Sequence, residues 1–318
     1  MQDKIMVSVC CLAYNHEPYI RDCLEGFVNQ KTNFKFEVII HDDASTDKTA
    51  DIIREYEAKY PDIIKPIYQT ENQYSQGIKF GKKYIYPKMR GKYVAFCEGD
   101  DYWCDNNKLQ KQFDFLESHP DYSFCVHNSY KLNCTDGTKT EICKLKEDND
   151  ITLEDIVMRM GEFFQTSSHF LRREYLEQPD AFPNYNFGDY QRAIYLALNG
   201  KIRYLKDIMS VYRYLSAGSW SSSKQDSDMG ILIRHNNEVI ELIQRINAYS
   251  QGKYEDIFQK KIIEKQVQTL VYLDKYREIL LNKQYRKEYT KTGLKAYLAL
   301  VYKALFQNEK RKRQVKDG

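Results

Sequence analysis

Alternation constrains this chain most. Through residue 130, short apolar runs predicted as strands (5–13, 36–41, 63–69, 93–97 and 122–130) are separated by stretches with helical periodicity (18–30, 45–60, 78–86 and 106–118). Within 18–30, Ile20, Cys23, Leu24 and Phe27 fall on one helical face, while Pro61 and Pro120 stop the helices before them. Strands and helices alternating at this spacing predict an α/β fold with an open, mostly parallel sheet. Ligands of such sheets bind beyond the carboxyl ends of the strands. Here those ends carry Ala13-Tyr14-Asn15, Asp42-Asp43 and Glu98-Gly99-Asp100-Asp101.

Beyond a polar stretch at 133–150, a second segment is expected to mix helices (153–160, 190–199) with a strand at 166–172 and extended chain at 202–214. From Asp226 onward long amphipathic helices take over, so a boundary is expected near 224. The 318 residues carry a formal charge of +3, which excludes the strongly basic signature of a nucleic-acid binder. At 42% apolar and 14% aromatic residues the chain is not of the disordered class either. No uncharged run approaches the ~20 residues that span a bilayer. The eight cysteines all lie in the first half without paired C-x-x-C spacing, so structural reduced thiols and a cytoplasmic location are expected.

Adjacent carboxylates after an apolar strand repel one another unless a cation or hydrogen bonds offset the repulsion. A divalent metal joining Asp100 and Asp101 to phosphate oxygens is one solution, because Mg²⁺ and Mn²⁺ favour such ligands; a solvated acidic turn is the other. The run His41-Asp42-Asp43-Ala44-Ser45-Thr46-Asp47 repeats the theme. Ser45 or Thr46 could cap the following helix, and an Asp at the strand end could accept hydrogen bonds from a base or a ribose. Neither a G-x-G-x-x-G nor a G-x-x-x-x-G-K-[ST] motif occurs, which disfavours dinucleotide and P-loop folds.

Three ordered blocks carry a resemblance. Val7-Ser8-Val9 with Tyr14-Asn15, then Ile39 through Thr49, then Glu98-Gly99-Asp100-Asp101-Tyr102-Trp103, together resemble the family 2 glycosyltransferases of the GT-A fold, over roughly residues 5–222. The resemblance implies an inverting transferase that uses Mn²⁺ or Mg²⁺ and a nucleotide-diphosphate sugar, with UDP as the expected nucleotide. It divides the chain into a GT-A domain at 1–223 (nucleotide half 1–132, acceptor half 151–223) and a helical region at 224–318. It implies that Asp43 contacts the base, Tyr14 stacks near it, and Ala13, Asn15, Glu17 and Lys82 line the nucleotide. Asp100 would reach the ribose or the metal, and Asp101 the metal. Phe187-Gly188-Asp189-Tyr190 matches the family's base motif, which makes Asp189 the candidate to accept the acceptor hydroxyl's proton; an N-cap role for it stays open. Arg213 would face the diphosphate, and Trp103, Trp220 and Ser221 the acceptor side. Relatives often carry a His after the Tyr-Arg pair, where this chain has Tyr214-Leu215-Ser216, and the first acid of the D-x-D-D pattern is Glu98.

Residues 283–318 hold a local charge of +8, which leaves −5 on 1–282. Leu294, Tyr297, Leu298, Val301 and Leu305 share one helical face ahead of Lys310-Arg311-Lys312-Arg313. A basic amphipathic helix fits peripheral contact with an anionic membrane, on the inner face of the cell membrane; packing on its own domain or on a second copy is the alternative. The expected function is transfer of a sugar to a glycan or polyprenyl-linked acceptor in surface polysaccharide biosynthesis. A sugar nucleotidyltransferase and an inactive transferase-like subunit are the competing readings, the first weakened because Cys11 to His16 lacks a Gly-rich basic loop.

Overall fold

The computed structural model of the protein describes residues 4–78, 81–179, 182, 188–216 and 229–314, with side chains of the last helix to Phe306. Its described residues cluster into two compact units: 1–178 with 189–225, and 179–188 with 226–318.

The first unit is built on a ten-stranded sheet. Strands β1 (Ile5–Ala13), β2 (Lys35–Asp42), β3 (Ile64–Tyr68) and β4 (Tyr93–Phe96) form its parallel part, in the order β3-β2-β1-β4. All four are largely apolar, and Val7, Val9, Val38, Ile40 and Ala95 lie in one core with Leu24 and Phe27 of α1 (Ile20–Val28) and Ile53 of α2 (Thr49–Lys59). Beyond β4 the sheet becomes mixed. After β5 (Tyr102–Trp103), α3 (Lys108–Ser118) and β6 (Tyr122–Asn133) come the short β7 (Lys139–Glu141) and β8 (Asn149–Ile151). The chain continues through α4 (Leu153–Arg159), β9 (Phe170–Arg172), α5 (Gly188–Asn199) and β10 (Lys201–Tyr214). The path runs β4-β9-β6-β10-β5, with β9 antiparallel to both β4 and β6, and β10 parallel to β6. The carboxyl ends of β1, β2, β4, β6 and β10 therefore share one edge.

Several expectations change. The polar stretch 133–150 holds β7 and β8, which pair at the sheet margin with β6 and β10. The helix expected at 78–86 is a π turn at Gly81–Ile85 followed by a 3₁₀ turn at Tyr86–Lys88. Pro87 explains the interruption, since it cannot donate into a helical ladder. Thr166–Ser168 is a 3₁₀ turn rather than strand, because Ser168 Oγ bonds back to Gln165 O at 2.7 Å and Ser167 Oγ meets Ser210 Oγ at 3.0 Å. All eight cysteines are free thiols, six of them buried.

The second unit contains α6 (Met229–Tyr249), α7 (Glu255–Tyr272), α8 (Tyr276–Leu281), α9 (Lys283–Tyr289) and α10 (Leu294–Gln314). Val267, Tyr276, Ile279 and Leu300 form a small core among α7, α8 and α10. Leu300 packs inward, whereas Leu294, Leu298 and Leu305 are 72%, 58% and 61% exposed. No helix among the described residues is long and apolar enough to cross a membrane.

Candidate active site

Three turns meet at the shared edge. The peptide of Gly99 donates to Leu12 O at 2.8 Å, and that of Asp43 to Ala13 O at 2.9 Å, so the end of β1 lies between the ends of β2 and β4. Gly99 is required here by its neighbours: a Cβ would sit 2.8 Å from His16 Nδ1 and 3.1 Å from Leu12 O.

Between the β1 and β2 turns the hydrogen bonds are reciprocal. Asn15 takes φ 52° and its Oδ1 accepts from Thr46 N at 2.8 Å, while Ser45 Oγ accepts from Asn15 N at 2.9 Å. Glu17 Oε2 accepts from Lys48 N at 3.0 Å, and Asp47 Oδ2 accepts from Glu17 N at 3.0 Å. Asp47 Oδ1 also accepts from Thr49 N at 2.9 Å. The orphan donors at the start of α2 are therefore met by Asp47 and by Glu17 of the neighbouring turn. Ser45 and Thr46 are not its caps: the N-cap is Lys48, and Ser45 Oγ donates to Asp42. Asn15 and Glu17 accordingly hold the rim together through their side-chain oxygens. Tyr14, 44% exposed, keeps an open ring beside them.

Asp43 is buried, with Oδ1 accepting from Gln73 N at 2.8 Å and Oδ2 from Tyr74 N at 3.0 Å. Its carboxylate thus pins the 70s loop and retains one lone pair per oxygen for a ligand. Lys82 stands exposed on the π turn.

In the acidic turn, Asp101 N bonds to Glu98 O at 3.0 Å. Asp100 Oδ2 accepts from Ser216 Oγ at 2.8 Å, and Asp101 Oδ1 from Arg213 N at 2.8 Å. Burial pushes Asp101 well above the ordinary carboxylate range, with Asp100 and Glu98 adding and the Arg213 contacts opposing. Glu98 keeps part of its surface exposed while protein atoms crowd around its carboxyl group. Desolvation, then the charges of Asp100 and Asp189, lift it to about 8 against the pull of Arg192. Asp189 therefore lies within electrostatic range of the acidic turn. It sits in the first turn of α5, its Oδ1 accepting from Tyr190 N at 2.7 Å, and it is not the N-cap.

Arg213 has partners other than the expected diphosphate. Its guanidinium pairs with Asp22 of α1, donates to Asp100 O at 2.7 Å and lies over the rings of Tyr19 and Tyr102. Trp103 is likewise no acceptor platform: it is buried, donates Nε1–H to Ser167 O at 2.9 Å and packs edge-on against Phe27. Trp220 and Ser221 lie outside the described residues. Ser216 and Asp22 were invisible to motif reasoning, because each meets its partner from more than a hundred residues away. His16 is a further missed neighbour, mostly buried and with no partner for Nδ1 among the described residues.

No group of three His, Cys, Asp or Glu side chains among the described residues is arranged to hold a metal. Two adjacent carboxylates, Asp100 and Asp101, each with hydrogen-bonding capacity left, match the sparser set that Mg²⁺ uses when substrate phosphates complete its shell.

Comparison with known proteins bears on the family and the fold. The family model "Glycosyl transferase family 2" matches residues 8–178. An uncharacterized protein of Mycobacterium tuberculosis (strain H37Rv) is 38% identical over 221 residues, 69% of this chain, and the match spans 62% of that relative's length. The putative teichuronic acid biosynthesis glycosyltransferase TuaG of Bacillus subtilis is 37% identical over 136 residues, 42% of this chain and 50% of TuaG. Among solved structures, S. aureus TarS 1-349 in complex with UDP-GlcNAc superposes with TM-score 0.58 at 18% identity, covering 96% of this chain and 92% of that one. The chain belongs to glycosyl transferase family 2 and has the GT-A fold.

Proposed function

We propose that this glycosyltransferase is a metal-dependent inverting enzyme that moves a hexosyl unit from a UDP-sugar to a glycan or polyprenyl-linked acceptor in surface polysaccharide biosynthesis. One observation carries the reading: Asp43, the adjacent pair Asp100 and Asp101, and Asp189 come from three separate segments, the first two of which end side by side at one sheet edge, while Asp100 and Asp189 both act on Glu98 through their charges. Asp43 receives the base and Tyr14 stacks beside it. Asp100 and Asp101 hold Mn²⁺ or Mg²⁺, which when bound neutralises charge on the departing diphosphate. Asp189 accepts the proton of the attacking hydroxyl, its carboxylate steadied by the Tyr190 peptide. Arg213 acts as a positioning residue, fixing the acidic turn through its backbone N–H and its bond to Asp100 O. The putative polysaccharide role of TuaG and the UDP-GlcNAc bound to TarS support the acceptor and donor classes.

Thermal shift with UDP-sugars tests this. Wild type should be stabilised by a UDP-sugar only with Mn²⁺ or Mg²⁺ present, and Asp101→Asn, folded by circular dichroism, should lose that response. An unchanged metal-dependent response in the variant would remove Asp101 from the site. We place the exposed apolar face of α10, followed in sequence by Lys310-Arg311-Lys312-Arg313, on an anionic membrane surface, with the protein on the cytoplasmic side.

A further inference from the structure

A recess of about 870 Å³ opens near the ends of β6 and β10, apart from the acidic turn. Its walls include Lys131, Lys144, Arg159, Phe163, Tyr212 and Tyr214. Strand alternation explains why it is distinct: Arg213 faces Asp22 and Asp100, so Tyr212 and Tyr214 on either side of it face the other way. The two places still share a wall. Arg213 N touches Asp101, and Ser216, two residues past Tyr214, touches Asp100. Cys134, whose N–H bonds to Tyr214 O at 2.9 Å, has its thiol raised by burial and, against Arg213, by the charges of Asp100 and Asp101.

The chemistry of the walls is specific. The rings of Tyr212 and Tyr214 are half-buried, 6.5 Å apart and tilted by 52°. Such aromatic faces offer apolar platforms with polar tips. Lys131 Nζ is held 3.5 Å from the Tyr214 ring centroid. The two acids of the lining are already matched, Glu141 by Lys146 at 3.2 Å and Glu162 by Arg159 at 3.7 Å. Lys131 and Lys144 have no carboxylate partner among the described residues, so the charge left over in the recess is positive.

We propose that this recess is the acceptor subsite and that it takes an anionic glycan, a chain of pyranose rings bearing carboxylate or phosphate groups. The inference rests on the transferase reading and names its acceptor class. Rings stack on Tyr212 and Tyr214, and the Lys131 and Lys144 ammonium groups meet the anions. An ammonium already placed over Tyr214 loses little freedom when an anion arrives, which favours charged over neutral chains.

Calorimetric titration of the full chain with tetragalacturonate, phosphorylated maltotetraose and neutral maltotetraose tests it. At least one anionic probe should bind tenfold or more tighter than the neutral one, and which of them does so identifies the anion. Lys131→Gln, a change at a half-exposed position, should weaken the anionic probe at least fivefold and leave the neutral one unchanged. Tyr214→Ala should weaken all three. Equal binding of neutral and anionic probes, indifference to Lys131→Gln, or no binding of any probe overturns the proposal. UDP-sugar binding with Mn²⁺ is measured on the same samples and should survive both changes; its absence from wild type refutes the transferase reading while the glycan result stands by itself.

Discussion

Replacing Lys108 by Met should stabilise the protein at low pH. Lys108 opens α3 and is completely buried, its Nζ donating to Gln112 Oε1 at 2.7 Å and lying 4.0 Å from the centroid of Trp103. Burial, only partly opposed by Cys97, Cys125 and Asp105, brings the ammonium down from 10.5 to about 7. The folded group thus binds its proton less tightly than the unfolded one. The resulting penalty is complete below about pH 7 and is relieved as pH rises towards 10.5. At about 1.4 kcal/mol per tenfold, that drop corresponds to roughly 5 kcal/mol of destabilisation at pH 6. Lys108→Met removes the penalty and gives up the Gln112 bond and the Trp103 contact, together about 2–3 kcal/mol. A net gain of about 2 kcal/mol is expected at pH 6, turning into a net loss near pH 10. Urea unfolding of both proteins at pH 6, 7.5, 9 and 10 measures the difference, from which the titrations of the buried cysteines cancel. A difference of constant size across that range would refute the reasoning, because it would mean that Lys108 titrates alike in both states.

Asp189→Asn should lower turnover by about 10²-fold or more while UDP-sugar binding by thermal shift is retained; a fully active variant would move the base elsewhere. Gly91→Ala should cost about 3 kcal/mol or more, since its Cβ would lie 2.4 Å from Ser8 N and 2.7 Å from Val7 C, both backbone atoms of β1. A urea midpoint equal to that of wild type would show that β1 yields at no cost. Leu298→Asp with Leu305→Asp, both on the exposed face of α10, should abolish co-sedimentation with vesicles containing anionic lipid and leave the melting temperature unchanged. Undiminished sedimentation would free that face from the membrane.

The parallel half of the sheet was legible because its strands are continuous apolar runs, and the acidic turn because three acids, Glu98, Asp100 and Asp101, follow one of them. What was not legible depends on distant partners. Asn15 and Glu17 look like ligand contacts until their acceptors are found to serve the turn at 45–48. Trp103 follows the acids directly, but its ring is claimed by Phe27 and the carbonyl of Ser167. Arg213 is matched by Asp22, a helical residue with no motif around it. The strands β7 and β8 are three residues each, mostly exposed and polar, so they leave no alternating pattern to detect.

The reciprocal bonds between the β1 and β2 turns also bear on modularity. A chimera that took one turn from a relative and kept the other would strand the peptides of Thr46 and Lys48 without their acceptors, or leave Asn15 N facing a missing hydroxyl. The rim is therefore transplanted intact only as a pair of segments, 14–17 together with 45–49. Tolerated changes at one should be accompanied by changes at the other.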